Sequence, residues 1–261
     1  MKFRKNIVKN IIYGPIQSRR LGNDLGINPL NRSIKWCIFN CPYCQDGTSR
    51  YQSTTLPPAY PYPSVNEVCF ALEQSLIELK NRGIKLDGIS ICGNGEPTLH
   101  PSFPRIVDET LALRDKHAKG IRLGVFSTGA TLENPSIFDA LLKVDSRYMK
   151  LDAGDETSFF NINRPTDGTK LRDIVKNLKR LSKQVPIIIQ SMFISGPAEN
   201  TNPAALRSWY ETLCEICPSE IHIYTVDRKP ADPSIQKVAR AELDRISADG
   251  IEKFNLPICS Y

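Results

Sequence analysis

The sequence predicts an α/β fold of parallel strands, an incomplete (β/α)6 barrel of the TIM type, on three observations. Short apolar runs alternate with amphipathic, helix-like segments from about residue 64 onward. The clearest run, around Ile187-Ile188-Ile189, is continuous rather than alternating, as a strand covered on both faces requires. Counted with an N-terminal strand, the alternation gives six βα units, too few to close an eight-fold barrel. A chain of 261 residues fits one domain of this kind. It is expected to divide into a basic N-terminal segment (1–32), the partial barrel (33–250) and a C-terminal tail (251–261).

Each element has its own signal. Ser64 and Glu67 form a capping box ahead of the helical stripe Val68, Leu72, Leu76 and Leu79, which Gly83 ends. A strand over 86–91 and a helix over 103–116 follow, then a strand over 121–126 and a short helix over 135–142. A strand over 147–151 precedes helical segments at 156–160 and 171–181, and the apolar strand spans 185–193. Asn202-Pro203 reads as N-cap and first helical residue. The stripe behind it is Leu206, Tyr210, Leu213 and Cys217, stopped by Pro218. A strand over 221–226 and a last helix marked by Ile235, Val238, Ala239 and Ile246 complete the alternation.

Composition excludes several classes. Nineteen prolines and 15 glycines are too few for a collagen-like or low-complexity chain. No stretch reaches the roughly 18 apolar residues of a membrane helix. Lys9 and Asn10 interrupt the one apolar run near the N-terminus, and no small-residue cleavage site follows, so the expected location is cytoplasmic. Thiols stay reduced there, and eight cysteines need a purpose other than disulfides. The charge is uneven. Residues 1–50 hold nine basic and two acidic residues, +7, while the remaining 211 hold 25 against 26, −1. That excess suits either an anionic partner or a solvated basic face.

Cys37, Cys41 and Cys44 pack three thiols into eight residues. A structural zinc site takes four protein ligands, and no fourth Cys or His lies nearby. Three thiolates on a tight loop suit a [4Fe–4S] cluster with one iron left open. This Cys-x3-Cys-x2-Cys spacing, with Tyr43 before the last cysteine, resembles the signature of the radical S-adenosylmethionine (radical SAM) superfamily. Gly93-Asn94-Gly95-Glu96-Pro97, after the second strand of the alternation, is similar to the superfamily's glycine-glycine-glutamate turn, with Asn94 in place of the first glycine of the pair. Three further stretches resemble the wyosine-synthetase-like branch: Tyr13-Gly14-Pro15 with Ser18-Arg19-Arg20-Leu21-Gly22, Lys150 to Glu156 with Ile162-Asn163-Arg164-Pro165, and Tyr224 to Pro230. That branch includes enzymes building the tricyclic base of a transfer RNA. Archaeal forms carry additional cysteines upstream of the loop, whereas no cysteine precedes Cys37 here.

The resemblance implies reductive cleavage of S-adenosylmethionine to a 5′-deoxyadenosyl radical, which abstracts hydrogen from the substrate. It further implies an external one-electron reductant of the flavodoxin or ferredoxin type. Cys37, Cys41 and Cys44 would bind iron. Tyr43 would lie against the adenine or simply pack, Glu96 would meet the methionine amino group beside Asn94 and Gly95 or cap a helix, and Thr128 would reach the cofactor or stand in a plain turn. Lys150 and Asp152 alternate with Leu151, so both point to one face as cofactor or substrate ligands or as a mutual salt bridge. Gln190 and Ser191 interrupt the apolar strand, and Ser191 is a cofactor-binding candidate. Arg228 suits an anion contact or the surface. Cys69 reads as a buried hydrophobe, Cys92 faces either side of the sheet, and His100, His117 and His222 read as structural. Cys214, Cys217 and Cys259 would hold an auxiliary cluster only against the placing of Cys217 on a core stripe. The expected function is therefore a radical SAM enzyme on a small or peptide substrate, which the basic N-terminal charge allows to be anionic, with transfer-RNA modification as the alternative and no membrane partner.

Overall fold

The computed structural model describes residues 10–30, 33–49 and 62–261. Six of the basic residues counted above, Lys2, Arg4, Lys5, Lys9, Arg32 and Arg50, lie outside the described residues. The sheet begins with an antiparallel hairpin of β1 (Ile12–Ser18) and β2 (Gly22–Ile27). Helix α1 (Val65–Asn81) carries both bonds of the capping box at Ser64. After β3 (Gly88–Ile91) come α2 (Phe103–His117), β4 (Arg122–Ser127), α3 (Pro135–Lys143) and β5 (Ser146–Lys150). Helices α4 (Glu156–Asn163) and α5 (Leu171–Ser182) lead to β6 (Ile188–Ser195), and α6 (Pro203–Ile216) to β7 (Glu220–Thr225). The chain ends through β8 (Gln236–Lys237), α7 (Arg240–Phe254) and β9 (Ile258–Ser260).

Strands β2 to β7 pair in sequence order, all parallel, and β9 adds a further parallel strand beside β7. The path runs from β1 to β9 without returning, so the six-unit barrel stays open between those edges. Among the described residues, no helix is long and apolar enough to cross a membrane.

Four details depart from the expectation. β1 is an antiparallel edge strand that no alternation signals. Ile235 and Val238 precede the last helix and flank β8, which pairs antiparallel with β6, while Ala239 is the N-cap of α7. Cys217 is not on the core stripe: it is the left-handed C-cap of α6 (φ 53°) and exposed, with Ile216 buried in its stead. Within 251–261, set apart above as a tail, α7 continues to Phe254 and three residues enter the sheet.

The strands sort their side chains by parity. Leu25, Ile27, Ile89, Ile91, Leu123, Val125, Met149, Ile189, Ile221 and Ile223 are all sealed in the core beneath the helices. The opposite face turns into the barrel. There Phe126 stacks on Tyr148 at 4.5 Å, and Tyr148 faces His222 at 6.3 Å. Gly26 makes room for the Tyr13 ring, since a Cβ would come 2.1 Å from its Cζ.

Candidate active site

The loop of three cysteines and the glycine turn meet through backbone. The Trp36 N–H donates to the Asn94 carbonyl at 2.9 Å, and the Glu96 N–H donates to the Trp36 carbonyl at 2.9 Å. Gly95 has φ 123°, and a Cβ there would lie 1.7 Å from the Trp36 carbonyl oxygen, so only glycine permits the approach. Asn94 is wholly buried, and its N–H donates to Asn28 Oδ1 at 3.2 Å. Cys37 thereby stands beside Glu96, one residue along each strand of the pairing.

The loop itself is tightly bonded. The Cys37 N–H donates to Ser49 Oγ at 3.0 Å, the Cys44 N–H to the Cys41 carbonyl at 3.0 Å, and the Asn40 N–H to the Asn163 carbonyl at 3.1 Å. None of the three thiols is in a disulfide. Burial pushes the Cys37 thiol up to about 12, against the pull of Lys35. Lys35 is 2% exposed and donates from Nζ to the Gly47 carbonyl at 3.1 Å. Burial works against its charge, but the Cys44, Cys37 and Cys41 sulfurs outweigh burial and hold the ammonium. Among the described residues, no three His, Cys, Asp or Glu side chains converge on a point that would hold a single ion. Three separate thiols with no imidazole, beside a buried cation that offsets thiolate charge, fit an iron–sulfur cluster.

A second group sits on the barrel side of the loop. The Tyr43 hydroxyl donates to Asp152 Oδ2, and the Asn163 amide donates to the same oxygen at 2.7 Å. Lys150 Nζ lies 3.2 Å from Asp152 and 4.9 Å from the centre of the Tyr43 ring. Asp152 Oδ1 accepts the Met192 N–H at 2.8 Å. Burial opposes the charge on Lys150, and Asp152 more than restores it, holding the ammonium above its ordinary range. Of the two alternatives for Lys150 and Asp152, the salt bridge is formed, and both side chains face inward. Asn163, which also reaches Cys41 Sγ at 3.6 Å, joins the loop to this group.

Glu96 is 1% exposed and already well engaged. Its Oε1 accepts the Thr98 N–H at 3.2 Å and the Thr98 hydroxyl at 2.5 Å, capping the short 3-10 helix Pro97–Leu99, and Oε2 accepts the Thr128 N–H at 2.7 Å. Thr128 therefore meets Glu96 through its backbone. Ser191 is placed elsewhere. Its hydroxyl donates to the Leu151 carbonyl and accepts the Trp209 indole N–H at 3.1 Å, wholly buried under α6. The neighbouring Gln190 faces the barrel instead.

The remaining candidates resolve individually. Cys92 turns inward and bonds the Tyr13 hydroxyl at 2.6 Å. Cys69 is partly buried against the core. His100 bonds the Pro63 carbonyl and His117 bonds Glu73. Arg228 donates to Gln45 of the cysteine loop at 3.1 Å. Cys214, Cys217 and Cys259 are exposed, on α6, at its C-cap and on β9. Sequence reasoning overlooked Lys35, whose signal is a lysine between Ile34 and Trp36 just before Cys37, and it quoted Asn163 without giving it a role.

Comparisons with known proteins bear on the family and the fold. A family model described as the radical SAM superfamily matches residues 32–208. A protein named GTPase Obg from Brachyspira hyodysenteriae is 30% identical over 68% of this chain, which spans about a quarter (24%) of that protein. A UPF0026 protein from Helicobacter pylori is 27% identical over 91% of this chain and 72% of its own length. Among solved structures, Streptococcus suis SuiB bound to the precursor peptide SuiA superposes with a TM-score of 0.64 at 16% identity, covering 91% of this chain and 48% of SuiB. TYW1 with a lysine–pyruvate adduct gives a TM-score of 0.58 at 16% identity, over 88% of this chain and 73% of that one. At such identities these structures speak to the fold. With more than half of its length matched by the family model, and with the cysteine loop and glycine turn side by side, the chain belongs to the radical SAM superfamily and is an enzyme of the [4Fe–4S] cluster and S-adenosylmethionine.

Proposed function

We propose that this enzyme abstracts hydrogen from a small or peptide substrate held inside the barrel, with Cys37, Cys41 and Cys44 as the cluster ligands. The observation that carries the site is the Trp36–Gly95 pairing, which fastens the cysteine loop to the glycine turn. When bound, the cluster and S-adenosylmethionine would supply the radical chemistry that abstracts hydrogen. The chain's own residues orient and shield. Glu96 takes three donors, leaving a carboxylate lone pair for the methionine ammonium, and Asn94 and Gly95 shape the turn beside it. Tyr43, pinned by Asp152, offers a fixed ring for the adenine, and Lys150 with Asp152 offers charge to the ribose, carboxylate or substrate. Thr128 contributes by holding Glu96 in place. Burial of this ring of side chains excludes water from the reacting atoms. An external one-electron reductant of the flavodoxin or ferredoxin type is required.

A second reading, modification of a transfer-RNA base, is favoured by the stretches Lys150 to Glu156 and Tyr224 to Pro230, which resemble the wyosine-synthetase-like branch. One experiment separates the two: comparing small molecules, peptides and transfer-RNA nucleosides from cells with and without the protein. A change confined to metabolites or peptides supports the first reading. A changed nucleoside with no other difference would replace it by the second.

A further inference from the structure

We infer that Arg20 forms a carboxylate-binding subsite inside the barrel, placed to hold the anionic group of the substrate; this rests on the reading of the site given above. Arg20 lies in the turn between β1 and β2, at an edge where the sheet stays open. Its Nη1 donates to Gln190 Oε1 at 2.6 Å, and its Cζ sits 4.3 Å from the centre of the Tyr224 ring. The bond is held from behind. Gln190 spends its carbonyl on Arg20, so its amide Nε2 donates to His222 Nδ1 at 3.3 Å. His222 then carries its proton on Nε2 and donates to Glu220 at 2.8 Å. Burial lowers the His222 pKa, so the ring joins this relay neutral near pH 7. The guanidinium is thus oriented in advance by an amide and an aromatic face, neither of which neutralises it.

Its neighbours sharpen the contrast. Arg19 is 69% exposed and pairs with Asp227 at 3.6 Å. Lys150, a second cation facing the barrel, is matched by Asp152. Among the described residues, no carboxylate pairs with Arg20, and its Nε and Nη2 have no hydrogen-bond partner. That edge presents two parallel N–H groups, the geometry a carboxylate takes in a bidentate pair.

The position is also reachable. Arg20, Phe126, Met192 and Tyr224 are half-buried although they face the inside, whereas the outward residues beside them are sealed. Tyr224 is paired with Met192 in the sheet and Lys150 with Gln190, and Lys150 stands over Tyr43 next to Cys44. A substrate anchored at Arg20 therefore extends along one continuous surface toward the cysteine loop. The charge count favours a carboxylate over a phosphate. The Arg20 guanidinium carries one charge, which a singly charged carboxylate balances, and Asp24 and Glu220, of inward parity on β2 and β7, would repel a second negative charge.

The test is ligand-observed NMR on the anaerobically reconstituted holoenzyme with three probes: benzoate, its neutral isostere benzamide, and inorganic phosphate. Benzoate should bind, with benzamide and phosphate at least about tenfold weaker. Arg20→Gln should lose roughly 10- to 150-fold in benzoate affinity, the range for a charge-assisted hydrogen bond. Arg20→Lys keeps the charge without the fork and should fall between; it carries the comparison if the glutamine variant fails to load iron. Equal benzoate binding by wild type and both variants overturns the subsite. So does phosphate binding as tight as benzoate, or binding of neither anion to wild type. Failure of the underlying reading shows separately, as absence of 5′-deoxyadenosine from the reduced wild-type protein.

Discussion

The outward and inward faces of strands β3 to β7 come from the same residues taken alternately, yet they are built for different ends. Outward lie Ile89, Val125, Met149, Ile189 and Ile223, each closed off from solvent. Inward lie Ser90, Phe126, Lys150, Gln190 and Tyr224, polar or aromatic and in several cases half-open. The pair Gln190 and Ser191 condenses the difference. Gln190 holds Arg20 in the barrel, while one residue later Ser191 serves only the joint between Leu151 and Trp209. Parity along the strand, rather than polarity, decides which side chain can meet a ligand. Four perturbations would break or sharpen this division.

The largest effect is expected on the outer face. Trp209 is 1% exposed, packs edge-on against Phe193 at 5.1 Å and donates to the Leu151 carbonyl at 3.1 Å. Trp209→Ala should cost about 3–5 kcal/mol in denaturant unfolding. A loss under about 1 kcal/mol would show that this layer is not what holds the barrel together.

On the inner face, Asp152→Ala should cost about 2–4 kcal/mol, because it strands Lys150, the Asn163 amide and the Met192 N–H together. The loss should largely disappear in the double variant with Lys150→Met, since no uncompensated cation then remains. If the double variant is as unstable as the single, the salt bridge is not the reason.

A smaller effect, of opposite sign, belongs to Asp24. Burial raises its pKa from 3.8 to about 6, although the Ser90 hydroxyl pulls the other way. An acid with a raised folded-state pKa binds its proton more tightly when folded. Its stabilising contribution is therefore complete below about pH 4 and lost as pH rises through about 6. Asp24→Asn should exceed wild type by about 1–3 kcal/mol at pH 8, with the difference gone near pH 4. Parallel stability curves for the two proteins from pH 4 to 8 would contradict this.

The least effect is expected from the exposed cysteines. Replacing Cys214, Cys217 and Cys259 by Ser should leave iron near four per reconstituted chain and change stability by less than about 1 kcal/mol. A wild type near eight irons, falling to four in the variant, would assign them an auxiliary cluster.

What was legible in the sequence follows the range of the interactions involved. The capping box at Ser64, the three-cysteine spacing and the Gly95 turn are local patterns, and each appears where its residues place it. Cys217 was misjudged by one residue at a helix end, where a left-handed cap turns the side chain from core to solvent. The face on which Ser191 lies was not legible, because a one-residue difference on a strand changes the face, which only pairing with β5 and β7 settles. β8 and β9 are too short to leave a periodic signal. Lys35 and Asn163 carry no motif of their own. Their importance comes from the loop folding over one and from α4 ending beside the other.

The central claim is that the inward face ends at a cofactor site formed by the cysteine loop, and one measurement tests it directly. Anaerobically reconstituted wild type and Cys41→Ala are compared for iron content and for 5′-deoxyadenosine formed from S-adenosylmethionine under reduction. The account predicts about four irons per chain and steady product for wild type, and loss of both in the variant. An intact cluster with undiminished cleavage in Cys41→Ala would contradict it.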